Sequence, residues 1–380
     1  MRGWARILGE KDDSQGGVLM LSRDGYIVVA GTTHRFGLGR RDLWLVKTDT
    51  NGHVVWTRTI GCLDDWTVRS MCQTQDGGYM VTGCCQAFER FPVVSLVKVS
   101  ASGRGFWRRT LGRVYYDEWV SCIRATSDGG FVIAGGAEPA YATANVATLR
   151  KMDHSGNESW RKVFGGLGDH GLSSVQQTPD GGYLAVGMAQ QQISADDSIW
   201  LVRTDATGDT LWTRVLGPGY GSSLEHTRDG GYIVGASAFD DSVGWHFSLI
   251  KLDSVCGKVW TQHVGRGSGG NARLVQQTRD GGYVAAGSID CDGAGSDAWL
   301  VKTDADGNLL WDRVFGRMGN DAGTSVLQTS DGGYLLTGTT QFFPKLPYAL
   351  WLIKTDSGGN VDDVRAKTLG SSKGRRSRHE

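Results

Sequence analysis

Apolar and polar residues alternate in short bursts along the whole chain, and the bursts come in sets of four. In residues 173–217 the set reads SSVQQT, YLAVG, IWLVRTD and TLWTRVLG. Each burst is rich in β-branched and aromatic side chains and is bounded by Gly, Asp, Asn or Ser, the pattern of a strand of roughly four to eight residues. The first burst carries an apolar residue at one fixed site: Leu19, Met71, Ile123, Val175, Leu224, Val275 and Val326. Between the first two bursts stands a DG turn, at Asp24, Asp76, Asp128, Asp180, Asp229, Asp280 and Asp331. The intervals are 52, 52, 52, 49, 51 and 51 residues, so the chain is a repeat array before it is anything else.

Four short antiparallel strands repeated seven times predict an all-β fold, a seven-bladed β-propeller of four-stranded antiparallel blades. The glycine after each turn aspartate occurs in all seven repeats, whereas the next position is Tyr26 in repeat 1, so the first glycine is the one whose backbone angle matters. A second short turn, D-x-x-G, joins the third and fourth strands, as at Asp205 and Gly208 or Asp304 and Gly307. The fourth strands settle how the ring closes. Trp56, Trp107, Trp160, Trp212, Trp260 and Trp311 are each followed five residues later by glycine, and the same spacing recurs at Trp4 and Gly9. Repeat 7 has Asp363 where its tryptophan belongs. The N-terminal strand, residues 4–9, is therefore expected to complete blade 7, since an open ring exposes two sheet edges. A second candidate for that place is RAKTLG, residues 365–370. The seven blade tryptophans are expected to pack against the neighbouring blade. The recurring Lys/Arg two positions before an Asp (Lys47, Lys151, Arg203, Lys251, Lys302 and Lys354, with Lys98 in the same column) predicts a repeated surface ion pair with a turn cap.

Composition supports this reading. Glycine, 57 of 380 residues, is about twice its usual ~7% share, and proline numbers only 6, which fits many tight turns. Basic and acidic residues balance at 40 each. Residues 364–380 hold six Lys/Arg against one Glu, which leaves residues 1–363 acidic and argues against nucleic acid as a partner. A single propeller domain over 1–363 and a disordered basic tail over 364–380 are the expected organisation, with a monomer as the expected state. No apolar run approaches ~18 residues, so no transmembrane segment is expected, and MRGWARILGEKDD lacks the apolar core of a signal peptide. Seven cysteines without a CxxC and histidines without ligand spacing predict neither a disulfide framework nor a metal site, and no cofactor is expected.

The line running from D-x-x-G-x-x-x-W through glycine, an acidic loop and D-G-G-Y resembles the SBBP repeat of bacterial and archaeal seven-bladed β-propellers. The resemblance covers residues 4–363. It implies a secreted or cell-surface binding module without a shared catalytic residue. The tryptophan turn is also similar to the docking motif of quinoprotein dehydrogenases, in which the adjacent Cys84 and Cys85 would correspond to a vicinal pair beside the quinone. A further likeness, to the Asp-box of sialidases, implies glycan cleavage. An enzyme of either kind is the alternative to a non-catalytic scaffold.

In a propeller the variable second–third loops and the connections between blades share one face, where function is expected. There the connections gather Asp64, Asp65, Asp117, Glu118, Asp169 and His170, together with Asp12, Asp13 and Asp321, and the aromatic residues Trp66, Tyr115, Tyr116 and Trp119. Carboxylates beside aromatic rings at a channel mouth suit a glycan, a peptide or another protein, and these residues form the expected ligand site.

Overall fold

The computed structural model describes residues 3–8, 15–34, 41–61, 65–86, 93–112, 116–139, 144–166, 168–190, 197–242, 244–264, 270–290, 295–316, 319–341 and 348–362. Every regular element among them is a strand. Five sheets have four strands and one has seven, all paired antiparallel, and in sequence order except where the N-terminal strand joins the last sheet. In the seven-stranded sheet the strand Thr210–His226 pairs through its first half with Asp197–Thr204 and through its second half with Tyr232–Asp240. It passes from repeat 4 into repeat 5 at Pro218 and Gly219 with no intervening loop. Neighbouring sheets meet through their first strands, and the first strand of repeat 7, Ala322–Gln328, packs back on that of repeat 1, Gln15–Leu21, so the arrangement is a closed ring. This is a β-propeller.

Closure uses the N-terminal strand. Trp4–Leu8 pairs with Tyr348–Thr355, Trp4 opposite Lys354 and Leu8 opposite Leu350, and completes the sheet of repeat 7. The rival strand at 365–370 and the basic tail lie outside the described residues.

Two repeated devices fix the sheets against one another. The first joins tryptophan to glycine. Trp4, Trp56, Trp107, Trp160, Trp260 and Trp311 each lie on the glycine of the following repeat's third–fourth strand turn, namely Gly52, Gly103, Gly156, Gly208, Gly307 and Gly359. Those glycines all have positive φ, and an added Cβ would run into the indole. In four seams the same tryptophan also meets the tyrosine of the next repeat's DGGY turn, with ring centroids 5.5–6.1 Å apart. Repeat 5 has Cys256 in place of glycine. It is the one non-glycine residue with positive φ, 63°, among the described residues, and it lies buried in the core that Trp212 joins.

The second device corrects an expectation. The recurring Lys/Arg does not pair with the aspartate two positions on. All seven reach back to the DG-turn aspartate of their own repeat, from Lys47–Asp24 through Lys354–Asp331, at 2.5–3.0 Å. The cationic side chain is mostly buried in each, while the aspartate stays exposed in all but the Lys354–Asp331 pair; the pair spans the second and third strands with its cation beneath the turn and its carboxylate at the surface. A Ser or Thr hydroxyl two residues before each turn aspartate donates to its Oδ1. The nearer aspartates, such as Asp49 and Asp304, cap their own turns by accepting backbone N–H groups two and four residues on.

Candidate functional site

Every first strand is bulged at the same place. The register with the second strand shifts around Gly17, Arg69, Ser121, Ser173, Ser222, Arg273 and Thr324, each seven residues before its turn aspartate. A bulged residue has no ladder partner and its side chain is re-aimed. Here all seven line one cavity of about 960 Å³ at the centre of the ring. Thr32, Ser237 and Thr339, at the ends of second strands, also line it, so it opens on the face of the variable loops. A volume of this size suits a small molecule or a short segment of polymer.

The cavity has a distinct wall and a distinct floor. Tyr220 and Trp245, both of repeat 5, line it, with their rings stacked at 5.1 Å. Phe239 meets Trp245 edge-on at 5.4 Å, and the three rings are 36–40% exposed. The Tyr220 hydroxyl donates to Asp197; that bond and burial push the phenol up to about 12. Three residues farther along the first strands, Arg124 pairs with Glu225 across the intervening strand His170–Gln177. From that strand Gln176 donates to Glu225 and to the Leu224 carbonyl. The Arg124–Glu225 pair is thereby a neutral bridge on the inner surface below the bulges.

The residues singled out from the sequence are placed differently. Asp64 and Tyr115 lie outside the described residues, as do Asp12, Asp13 and the side chain of Tyr116. Trp66 borders the cavity, but its ring is 1% exposed and belongs to the core between repeats 1 and 2. Trp119 is half-buried and covers Gly136. Glu118, also 1% exposed, pairs inside the sheet with Arg150 and, at 3.0 Å, with Arg161. Asp169 accepts the Asn145 N–H at 2.7 Å, and its own carbonyl accepts from Gln190. His170 bonds the Gly168 carbonyl at 2.8 Å and packs edge-on against Trp200. Asp321 accepts the Gln341 N–H at 3.1 Å. Asp169 and Asp321 thus tie connections to loops and Glu118 is spent inside a sheet, so these three do not form an open carboxylate ring. Asp65 and Asp117 stay half-buried, each with an Oδ1 that has no hydrogen-bond partner among the described residues.

The sequence reading missed the bulge column and the aromatic group of repeat 5. Alignment on the turn aspartate carries the first signal, since the column seven residues earlier is polar in six of seven repeats. The described residues contain no group of three or more His, Cys, Asp or Glu able to hold a metal ion. Cys84 and Cys85 are buried on opposite faces of the strand Tyr79–Gln86, one in each flanking core. Among the described residues no helix is long and apolar enough to cross a membrane.

No protein-family model matches this chain, and no curated protein matches it. Solved structures do. The β-propeller domain of the Trilobed protease from Pyrococcus furiosus, whose title describes an open velcro topology, aligns over 97% of this chain and 98% of its own, at 9% identity and a TM-score of 0.52. Puromycin hydrolase aligns over 92% of this chain at 16% identity and a TM-score of 0.56, and the match spans about half (54%) of its own length. At such identities the likeness is one of fold.

Proposed function

We propose that this chain is a non-catalytic seven-bladed β-propeller that binds a glycan, a peptide or a protein segment in the central cavity on its variable-loop face. The seven blades count the strand Thr210–His226 as shared by blades 4 and 5. One observation carries the reading: residues from all seven first strands converge on a single cavity, with a stacked tyrosine and tryptophan in its wall. Most buried charges of the body are spent on ion pairs within the sheets, which leaves the cavity with hydroxyls, two arginines and aromatic faces, a binding surface without an evident acid–base pair. The likeness of the repeat to the SBBP line supports a binding role. The two neighbours that are peptide- or puromycin-cleaving proteins by their printed names share only the fold.

A glycan and peptide array probed with the whole chain tests the proposal. Hits that bind at least tenfold more weakly to Tyr220→Ala/Trp245→Ala, at unchanged melting temperature, support it. Hits that ignore this variant and depend on the D-x-x-G turns at 205–208 or 304–307 place binding on the other face and refute it.

A further inference from the structure

The two arginines of the bulge ring, water-exposed where they line the cavity, stand apart from the ion pairs of the body. Seven Lys/Arg–Asp pairs lie under the turns, Arg124 has Glu225, and Arg150 has Glu118 and Glu158. Arg69 and Arg273 have no carboxylate partner among the described residues. They come from repeats 2 and 6, sit at equivalent bulges, and line the same cavity. Both are open to water inside the cavity, yet protein surrounds them. Burial there, together with the facing Arg69, holds the Arg273 guanidinium below its ordinary value.

Around them the ring supplies only hydroxyls: Ser121, Ser173, Ser222 and Thr324. No member is acidic. Glu225, three residues beyond the ring member Ser222, is already engaged by Arg124 and Gln176. Two like charges held in a protein-walled space raise the energy of the empty protein, and folding gains nothing from them. A planar guanidinium pair with hydroxyl donors nearby is the arrangement that recognises an oxyanion by charge-assisted, bidentate hydrogen bonds. The stacked Tyr220 and Trp245 then offer a flat face to whatever body the oxyanion is attached to.

We infer that the cavity binds its ligand through an oxyanion, a phosphate, sulfate or carboxylate group, clamped between Arg69 and Arg273, with the body of the ligand against Trp245. This rests on the proposed binding role of the same cavity and adds the chemical class of ligand.

The test uses the whole chain, as wild type, Arg69→Gln/Arg273→Gln, and Arg104→Gln on an exposed turn as control. Melting temperature and calorimetric binding are measured with inorganic phosphate, sulfate and glutarate against chloride at matched ionic strength. At least one of the three oxyanions should raise the melting temperature of wild type and control, and the one that acts names the group. In the double variant the response should be lost and binding should weaken at least tenfold, while without oxyanion that variant melts at or above the wild-type temperature. A response that persists in the double variant, no response in wild type, or a double variant that melts well below wild type overturns the inference. If the double variant is unfolded, the single Arg273→Gln and Arg273→Lys variants decide: only the lysine should keep part of the response. A neutral array hit that needs Trp245 but tolerates loss of both arginines would sink the oxyanion clamp and leave the binding module standing. Hits indifferent to both changes would remove the two together.

Discussion

Alanine at Gly103 tests the seam that repeats around the ring. The residue has φ +73°, and a Cβ there would stand 2.9 Å from Cδ2 and 3.0 Å from Cε3 of Trp56. Two costs follow. The left-handed backbone penalises any L side chain by ~1–2 kcal/mol. Forcing a methyl against a packed ring adds ~1–3 kcal/mol unless the ring moves. Gly103→Ala should therefore lose ~2–5 kcal/mol in urea unfolding followed by far-UV circular dichroism. A double-mutant cycle separates the terms. Trp56→Ala removes a half-buried indole and should itself cost ~3 kcal/mol, the low end for aromatic truncation. In that background the clash is gone and only the backbone penalty remains, so the two changes should be less than additive by ~1–3 kcal/mol. A loss under ~0.5 kcal/mol for Gly103→Ala, or a cycle additive within ~0.5 kcal/mol, would show that the glycine is not there for the tryptophan.

Four further outcomes are expected. Cys256→Gly should leave unfolding midpoints equal or higher, because relief of the left-handed strain offsets the lost thiol contact; a loss above ~1 kcal/mol would give the packing priority. Deleting residues 1–9 strips the edge of Tyr348–Thr355 and bares Gly52, so melting should fall sharply, whereas deleting 364–380 should change it little; the reverse order would refute closure by the N-terminal strand. Lys98 and Thr74 hold Asp76, and Lys251 and Thr227 hold Asp229, at about 2, below the model-peptide 3.8. These depressed carboxylates stabilise fully above pH ~4 and lose that contribution as pH falls toward ~2, so the melting curve of Asp229→Asn should drop less steeply than wild type across that window, and equal slopes would count against the pairing. Glu118→Gln leaves Arg150 and Arg161 without their shared buried partner and should cost ~3–5 kcal/mol while sparing ligand binding by the folded fraction; a stable variant that lost binding would return Glu118 to the site.

The fold was legible because its constraints repeat with the chain. A glycine after every turn aspartate has positive φ in all seven repeats, and a tryptophan meets a glycine across six seams and joins the core that holds Cys256 at the seventh, so period, turn and spacing all report one geometry. The ion pairs were misread for a related reason. Lys47 and Asp49 are two apart in sequence, but the aspartate is consumed by its own turn and the lysine reaches Asp24 on the neighbouring strand. Strand periodicity tells which face a side chain shares, and hairpin register decides which partner is there.

The site was harder to see because residue type in a connection does not reveal which backbone groups will come to it. Asp169 and Asp321 look like mouth carboxylates in the sequence, yet each accepts an N–H from a loop that the fold brings alongside. The informative column lies inside the strands. Five residues before the turn aspartate every repeat is apolar, since that side chain is buried between sheets. Seven residues before it the chain writes Gly17, Arg69, Ser121, Ser173, Ser222, Arg273 and Thr324. A bulged residue has no ladder partner to satisfy with its side chain and no core to fill. Where a repeat holds its neighbours fixed and lets one such column vary, folding does not dictate the residue, and the two unpaired arginines in that column are the side chains most plainly left for a ligand.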